Sequence, residues 1–319
     1  MASPRSFPNY LAGPYLERLA QLRKDEARLH AALQDPATLF VPVWRMHSFV
    51  SHTEQTFSAQ LIADVRTFAA LDTSEPILLG EFRHQLVFAV EIPAAQTPEL
   101  PVAAEFRDLR TIAGELAREE AGLLAYARAM VQWRERHRYC GRCGSRTVPI
   151  QGGHVLQCSD ARCGNLQFPR IDPAVIVLVT DGERALLGRQ AAWPPGRYST
   201  VAGFVEPGES LEDAVAREVH EETGVEVDSV EYHSSQPWPF PSSLMLGFTA
   251  HASRTGIHRM DDELEDARWL TRAQIAAGEV SLPTTHSISF RLIEDWYDAA
   301  AEVPLRAEPG ARLWTAPAR

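Results

Sequence analysis

The spacing of apolar residues in positions 1–105 predicts a mixed domain of strands and helices. Short apolar runs at 39–44 (LFVPVW) and 85–92 (QLVFAVEI) are typical of strands. Residues 16–33 carry leucines spaced for one buried helical face, so the pattern predicts a helix there. From Asp108 to about His137, apolar side chains again recur at helical spacing. We expect one or two helices in that segment.

After Pro169 the pattern changes. Apolar runs at 174–180 and 185–190, joined by a DGER turn, predict two strands, and VDSVEYH and LMLGFTAHA predict later ones. A helix should begin after the N-cap Ser210 and end at Gly224, and the last helix should span 287–301. We therefore predict an α+β chain with a mixed α/β domain at 1–135, a cysteine segment at 136–167, a further domain at 168–305 and a tail at 306–319.

Composition and charge narrow the functional classes. Hydrophobic residues make up 45% and charged residues 23% of the 319 positions, as in folded globular proteins. The net charge of -11 disfavours broad binding to a nucleic-acid backbone. A local basic patch would have to compensate, and the sequence offers one at Arg134, Arg136, His137, Arg138 and Arg142. Because no apolar run approaches the ~20 residues of a membrane span and no secretory signal begins the chain, we expect a cytoplasmic protein without a membrane partner.

Four cysteines form a local cluster. Cys140 and Cys143 are separated by two residues, Cys158 and Cys163 by four, and glycine-bearing turns hold each pair. Two such turns joined by a hairpin predict a structural Zn²⁺ site with four thiolate ligands and no open position for water. Two disulfides or four unrelated thiols are the alternatives. His154, between the pairs, is expected to be a hairpin residue and not a ligand.

Three glutamates stand at i, i+3 and i+4 in the helix after Ser210. Glu218, Glu221 and Glu222 should project from one helical face, where like charges repel. Divalent cations relieve such repulsion, and carboxylate oxygens are the ligands that Mg²⁺ or Mn²⁺ prefers. Taken alone, the same triplet is also typical of a solvated surface face.

The segment 203–225, GFVEPGESLEDAVAREVHEETGV, resembles the Nudix box without a gap. The matching positions are Gly203, Glu209, Arg217, Glu218, Val219, Glu221, Glu222, Gly224 and Val225. The resemblance implies a mixed sheet between helices and hydrolysis of a nucleoside diphosphate linked to another group. It implies Mg²⁺ or Mn²⁺ held by Glu218 and Glu222, with Glu221 as a third ligand or a base. Arg217 is expected to orient carboxylates, including Glu209.

The stretch SQPWPFPSS resembles the proline-rich array of the NADH pyrophosphatase branch of the Nudix family. Its prolines predict a stiff loop that cannot be a central strand. Within that branch it belongs to substrate recognition, which implies binding roles for Gln236, Pro237, Trp238, Pro239, Phe240, Pro241, Ser242 and Ser243.

The same resemblance implies three further substrate contacts and one more metal ligand. Phe168 and Phe204 would stack on rings of the substrate, although Phe168 stands where tyrosine is common. Ser289 departs from the alanine usual at its position, and we expect a backbone contact there. The segment DDELEDARWL implies a metal ligand at Glu263, with Glu265 and Asp266 as competitors.

These resemblances imply an enzyme that splits NADH or NAD into nicotinamide mononucleotide and AMP. Removal of NAD caps from RNA is an alternative, because it breaks the same bond and needs only an exit for the RNA. A zinc-ribbon module that senses a nucleotide without cleaving it is another, which a missing box glutamate would favour. The family resemblance also implies a homodimer.

Overall fold

The computed structural model describes residues 9–54, 56–68, 71, 73, 75–100, 102–258 and 263–314. Its strands and helices belong to two units. The amino unit consists of Tyr10–Ile171 and Pro237–Ser242. The carboxyl unit consists of Met1–Asn9, Asp172–Gln236 and Ser243–Arg319. Positions 1–8 of the predicted N-terminal domain and 315–319 of the predicted tail lie outside the described residues. No described helix combines the length and apolar character that crossing a bilayer requires.

The amino unit is built on a sheet of order β1-β5-β6-β2-β3-β4, with β7 paired to β3. Its elements are β1 Leu16–Glu17, α1 Glu26–Gln34, β2 Leu39–Trp44, β3 His47–His52, β4 Phe57–Ala59, β5 Ile77–Phe82, β6 Gln85–Ile92, β7 Glu105–Arg107, α2 Leu109–Ile112, α3 Arg118–Arg136, β8 Thr147–Ile150, β9 Val155–Cys158 and β10 Leu166–Gln167. The strands predicted at 39–44 and 85–92 and the helices predicted after Asp108 are confirmed.

The helix predicted over 16–33 is wrong in its first half. Leu16 and Glu17 pair with β5 as a strand, and a short 3-10 turn follows at Leu22–Lys24. Helix α1 begins only after Asp25, whose side chain accepts a hydrogen bond from the backbone N–H of Arg28. The leucine spacing reflects one-sided burial, but pairing to a sheet edge overrides helical propensity before the cap.

Alternation along β2 and β6 places two cores on opposite faces of the amino sheet. Val41 and Val87 belong to the core that includes α3, whereas Phe40 and Phe88 belong to the core on the other face.

One residue of the predicted basic patch, Arg134 in α3, is not at the surface. Arg134 is buried, and its guanidinium donates to the carbonyl of Glu75, so it is not part of a basic surface.

The cysteine segment forms a separate sheet of order β10-β9-β8. The turn between β8 and β9 contacts β5, because the N–H of Leu78 donates to the Gly152 carbonyl at 2.9 Å. The buried His154 donates from Nε2 to the Leu78 carbonyl at 2.6 Å. His154 is thus a hairpin residue, as predicted.

The carboxyl unit has a sheet of order β14-β15-β11-β12-β16, with β13 paired to β11. Its elements are β11 Asp172–Thr180, β12 Arg184–Arg189, β13 Val201–Phe204, α4 Leu211–Thr223, β14 Glu226–Trp238, β15 Ser243–Arg254, β16 Asp266–Thr271, α5 Arg272–Ala276, β17 Ser281–Leu282, α6 Ile288–Asp298 and β18 Arg312–Leu313. Strand β18, in the predicted tail, pairs in parallel with β17.

This second sheet lies between helices, as predicted. Along β11, Val175, Val177 and Val179 pack in the core that contains residues of α4. The alternate residues Ile176 and Leu178 pack in the core that contains residues of α6. Because successive side chains of a strand point to opposite faces, one apolar strand fixes both helices on the sheet. Its parallel pairing with β15 and antiparallel pairing with β12 make the sheet mixed.

Candidate active site

Local sequence signals set the bounds of α4. Ser210 and Asp213 form a reciprocal capping box, and Gly224 ends the helix in the left-handed region at φ 68°. A Cβ on Gly224 would lie 2.5 Å from the carbonyl oxygen of His258, so only glycine fits there. Both predicted ends of the helix are confirmed. The helix therefore presents its carboxylates at fixed positions.

Arg217 connects these carboxylates to the loop that precedes the helix. Its guanidinium donates to both carboxylate oxygens of Glu209, at 3.0 and 2.7 Å. It also donates to Glu218 at 2.9 Å, to Glu221 at 3.1 Å and to the Phe204 carbonyl at 3.0 Å. The predicted orienting role of Arg217 toward carboxylates agrees with these contacts.

The ion pair changes the acidity of its members. Hydrogen bonds from Arg217 and from the backbone of Glu206 lower the pKa of Glu209 to about 2, so it stays ionised at neutral pH. The same pairing raises the pKa of Arg217. The backbone N–H of Glu206 donates to the Glu209 carboxylate at 2.7 Å. Because Glu209 also accepts from Arg217, the guanidinium connects this loop to α4.

Glu218 lies against the backbone of Gly203. A Cβ at Gly203 would lie 1.9 Å from the carboxyl carbon of Glu218, so this glycine makes room for the carboxylate. Burial raises the pKa of Glu218 despite its contact with Arg217. Glu222 is buried, whereas the Glu221 side chain is 51% exposed. The three glutamates thus differ in solvent exposure: Glu221 is half exposed, whereas Glu218 and Glu222 are buried.

Glu263 is electrostatically coupled to the helix. Its charge contributes to raising the pKa of Glu218. The two competing acids have other contacts: Glu265 pairs with Arg189, while Asp266 pairs with Arg268 at 2.6 Å and accepts from Tyr198. Glu263 as the further metal ligand stays a prediction.

The carboxylates of this region suit a hard divalent cation. Their oxygens are the preferred donors for Mg²⁺ or Mn²⁺, and the space over Gly203 admits the Glu218 carboxylate. They do not form a closed ligand cluster: within the described residues, only the cysteines bring three or more ligand atoms within 4.8 Å of one another. Arg217 here pairs with two of the predicted ligands, Glu218 and Glu221.

The four cysteines form a metal centre of another kind. All are free thiols, and their sulfurs lie within 4.8 Å of one another, with Cys140–Cys163 at 3.8 Å and Cys143–Cys158 at 3.3 Å. Tetrahedral Zn–S bonds place sulfurs about 3.8 Å apart, so the residues fit zinc. The backbone N–H of Arg142 donates to the sulfur of Cys140, and such contacts lower its pKa to about 6. Free thiols in this arrangement argue against the disulfide alternative.

The loop within the proline-rich segment is shorter than predicted. Residues up to Trp238 belong to β14, Ser243 begins β15, and only 239–242 form the turn. The prediction that this segment is not a central strand agrees with the sheet, because β14 lies at its edge. A proline is tolerated at an edge since its missing N–H would face outward. Gln236, Pro237 and Trp238 are therefore strand residues.

Gln236 is fully buried and holds the start of α6. Its amide accepts from the N–H of Ile288 at 2.8 Å and donates to the carbonyl of His286 at 2.8 Å. Ser289 is also buried, and its hydroxyl contacts Ser199 and Thr200, each at 2.8 Å. Both side chains have positioning roles in the carboxyl unit. Substrate contacts through these two residues stay a prediction.

Trp238 and Phe240 pack against the core of the amino unit. Their rings meet edge to face at 5.1 Å, and the guanidinium of Arg128 lies 4.8 Å from the Phe240 ring. Arg128 also donates to the Pro239 carbonyl. Sequence reasoning missed Arg128, because one arginine within a helical pattern gives no signal of a contact more than a hundred positions away. Pro239 is buried, whereas Pro241 is exposed.

Two predicted stacking rings are accessible. Phe168 is 55% exposed in the amino unit, and Phe204 is 60% exposed at the end of β13. Both rings are therefore accessible to a planar ligand ring, and their stacking roles stay predictions. The Phe204 backbone is fixed by Arg217, so that ring is attached to the carboxylate network.

Family profiles match most of the chain. The NUDIX domain matches residues 170–295, and the NADH pyrophosphatase zinc ribbon domain matches 135–168. The NADH pyrophosphatase-like rudimentary NUDIX domain matches 37–133, a relationship that sequence reasoning did not find. The rudimentary domain has none of the acidic motif, which is why motif spacing could not reveal it.

Several relatives of known name are similar over long stretches. Nudix hydrolase 19, chloroplastic, from Arabidopsis thaliana is 44% identical over 65% of this chain, and the match spans 46% of that protein, less than half of its length. NAD-capped RNA hydrolase NUDT12 from Homo sapiens is 34% identical over 90% of this chain and 73% of its own. An NAD-capped RNA hydrolase from Schizosaccharomyces pombe is 34% identical, covering 85% of both chains.

Proposed function

The chain belongs to the Nudix hydrolases, in the group with an NADH pyrophosphatase zinc ribbon, and on that premise we propose that it hydrolyses the diphosphate of NADH and NAD. The products are nicotinamide mononucleotide and AMP. The observation that carries this proposal is the complete acidic helix, with Arg217 connecting Glu209, Glu218 and Glu221. The zinc ribbon match and the exposed ring of Phe204, whose carbonyl contacts Arg217, support a dinucleotide as substrate, and stacking on Phe168 stays a prediction.

Glu218, Glu221, Glu222 and Glu263 would hold Mg²⁺ or Mn²⁺ at this site. When bound, the cation neutralises diphosphate oxygens and lowers the pKa of water. Arg217 keeps Glu209 ionised and attaches the loop to α4. The half-exposed Glu221 is accessible for accepting a proton from attacking water, or else serves as a further ligand, while Glu222 is the buried alternative for the base.

Removal of NAD caps from RNA is the second candidate. It breaks the same diphosphate bond, and two relatives of this chain are named NAD-capped RNA hydrolases. A nucleotide-sensing role without catalysis is less well supported, because no glutamate of the box is missing. A homodimer, implied by the family resemblance, stays a prediction.

A substrate panel tests this proposal. Purified protein with Mg²⁺ or Mn²⁺ should release nicotinamide mononucleotide from NADH, from NAD and from NAD-capped RNA, with ADP-ribose as the comparison. Glu222→Gln keeps the side chain's size but removes one charge from the cation site. We expect its kcat to fall by at least about 100-fold, since such groups act mainly in the transition state.

Glu231→Gln on β14 is the matched control, because Glu231 is exposed and outside the box. It should keep normal activity. Apo-protein melting checks that Glu222→Gln is folded. A folded and active Glu222→Gln enzyme, or a wild-type protein inactive on the whole panel, would contradict the proposal.

A further inference from the structure

The sheet of the zinc ribbon has an exposed face. Strand register aligns Val148, Gln157 and Leu166 across β8, β9 and β10, and all three are exposed. Directly opposed residues in a sheet share a face, so these side chains form one exposed row. A ribbon this small would gain stability by covering its apolar side chains, yet Val148 and Leu166 are 47% and 43% exposed.

Two aromatic rings extend this row. Tyr139 pairs with Arg146 in an isolated bridge, and Arg146 precedes Val148 by the two positions that return a strand to the same face. Phe168 follows Leu166 at the same spacing. The rings of Tyr139 and Phe168 are 58% and 55% exposed. We call Tyr139, Arg146, Val148, Gln157, Leu166 and Phe168 the ribbon face.

The ribbon is basic in an acidic protein. Residues 136–170, from the last residue of α3 through the ribbon to Arg170, contain six arginines and one acidic residue, whereas the whole chain has a net charge of -11. All six arginines are exposed. Arg138 pairs with Glu91 and Arg162 with Asp160. Among the described residues, no ion pair engages the remaining four, Arg136, Arg142, Arg146 and Arg170.

The zinc site does not account for this positive charge. Four thiolates and one Zn²⁺ carry two net negative charges. Two arginines balance that charge, and an excess remains. Arg142 lies between Cys140 and Cys143, and Arg146 stands 5.9 Å from the Tyr139 ring centroid. The Arg146 cation thus lies beside the Tyr139 ring, and Arg142 is exposed in the adjacent cysteine turn.

We propose that the ribbon face binds the single-stranded RNA that follows an NAD cap, which rests on the decapping activity proposed above. Bases would stack on Tyr139, and phosphates would pair with Arg142 and Arg146. Unpaired bases stack on exposed aromatic rings whatever their sequence, and basic side chains follow the backbone.

A nucleic acid fits this surface better than a second copy of the chain. Stable homodimer contacts have an apolar core from which charged residues are depleted. Here four apolar side chains are interleaved with Gln157, Arg146 and further arginines.

Charge reversal at two ribbon arginines tests the surface. The variant Arg142→Glu with Arg146→Glu changes exposed side chains only. Its control is Arg66→Glu with Arg254→Glu, where the side chains are 85% and 74% exposed and the change in charge is the same. Fluorescence anisotropy of a labelled single-stranded RNA of about 15 nucleotides with a 5′-hydroxyl measures binding to the zinc-loaded full chain.

We expect the ribbon variant to raise the RNA Kd by at least about 10-fold and to reduce the slope of log Kd against log salt by about 1.4, or ~0.7 for each lost phosphate contact. The control should change both much less. Tyr139→Leu keeps apolar area but removes stacking, and should raise the Kd by at least about fivefold. NADH hydrolysis should stay within about twofold of wild type in all three variants.

Any other result overturns either the RNA surface or the decapping proposal. Equal Kd values for the ribbon variant and its control, or no RNA binding by wild type, would overturn the RNA surface. So would a parallel loss of NADH hydrolysis, or a lower molar mass in light scattering with RNA binding unchanged, which would identify a second copy as the occupant. RNA binding that depends on the ribbon, without cleavage of capped RNA, would support the surface and overturn the decapping proposal instead.

Discussion

Arg217 explains how α4 tolerates several glutamates before a cation binds. Carboxylates at i, i+3 and i+4 repel one another. Arg217 contacts Glu218 and Glu221 of the helix and Glu209 of the loop, so one guanidinium offsets part of that repulsion. The helix can then form in the absence of metal. A divalent cation has to compete with this guanidinium for the same oxygens.

His154 gives a residue-scale prediction about acid stability. Burial lowers its pKa to about 4 from the usual 6.5, so the folded protein resists its protonation. Because the unfolded chain binds that proton more readily, stability is lost as the pH falls from about 6.5 to 4, and this component amounts to about 3 kcal/mol. His154→Gln keeps a donor for the Leu78 carbonyl and should lack this component.

Denaturant unfolding at saturating zinc across pH 4 to 8 measures the difference between the two proteins. Any zinc-linked acid effect is common to both and cancels in that difference. An identical pH dependence in His154→Gln would contradict the assignment.

At the scale of elements, the zinc ribbon is held together by its metal site more than by a core. Cys140 and Cys158 are buried, whereas most of its strand residues are not. We expect about one zinc per chain, and Cys158→Ser should lose it and lower the melting temperature, because the metal binds only the folded site. Metal analysis and calorimetry measure both effects.

Ser159→Ala, at the exposed neighbouring position, is the control for that change. It should keep the zinc and the melting temperature. Zinc-free Cys158→Ser protein with unchanged stability would show that the ribbon folds without its metal.

The turn after β14 gives a second prediction at this scale. Phe240 packs with Trp238 and beneath Arg128, so Phe240→Ala should cost about 2 kcal/mol of folding stability, less than for a fully buried phenylalanine. If the segment also recognises nicotinamide, kcat/KM should fall more for NADH than for ADP-ribose. Phe240→Leu, which keeps apolar volume, should recover most of the stability. Equal losses on both substrates would mean that the segment serves packing alone.

On the scale of the whole molecule, the two units are interleaved in sequence. Residues 237–242 belong to the amino unit, although the residues on both sides of them belong to the carboxyl unit. The amino unit also matches a rudimentary NUDIX domain, without the glutamates that α4 carries. Folding of the amino unit therefore includes a segment supplied by the catalytic half of the chain.

A fragment of residues 168–319 should accordingly be less stable and less soluble than the full chain. In the fragment Trp238 and Phe240 lose the amino-unit core against which they pack. Light scattering and thermal melting measure the change, and a matched fragment with Trp238→Ser and Phe240→Ser should be more soluble. An unmodified fragment as soluble and stable as the full chain would contradict this interpretation.

The sequence by itself determined the elements whose signals are local. The ends of α4, the spacing of its glutamates, the cysteine turns and the apolar strands are written in neighbouring residues, because caps, turns and side-chain periodicity act over a few positions. Only the tertiary structure decided where distant partners meet. Leu16 in a strand, Arg134 buried beneath the expected basic surface, Gln236 holding α6 and Arg128 holding the Pro239 turn all depend on contacts across many positions. Such contacts form because packing and hydrogen bonding in the folded chain outweigh local propensity, and no local pattern encodes them.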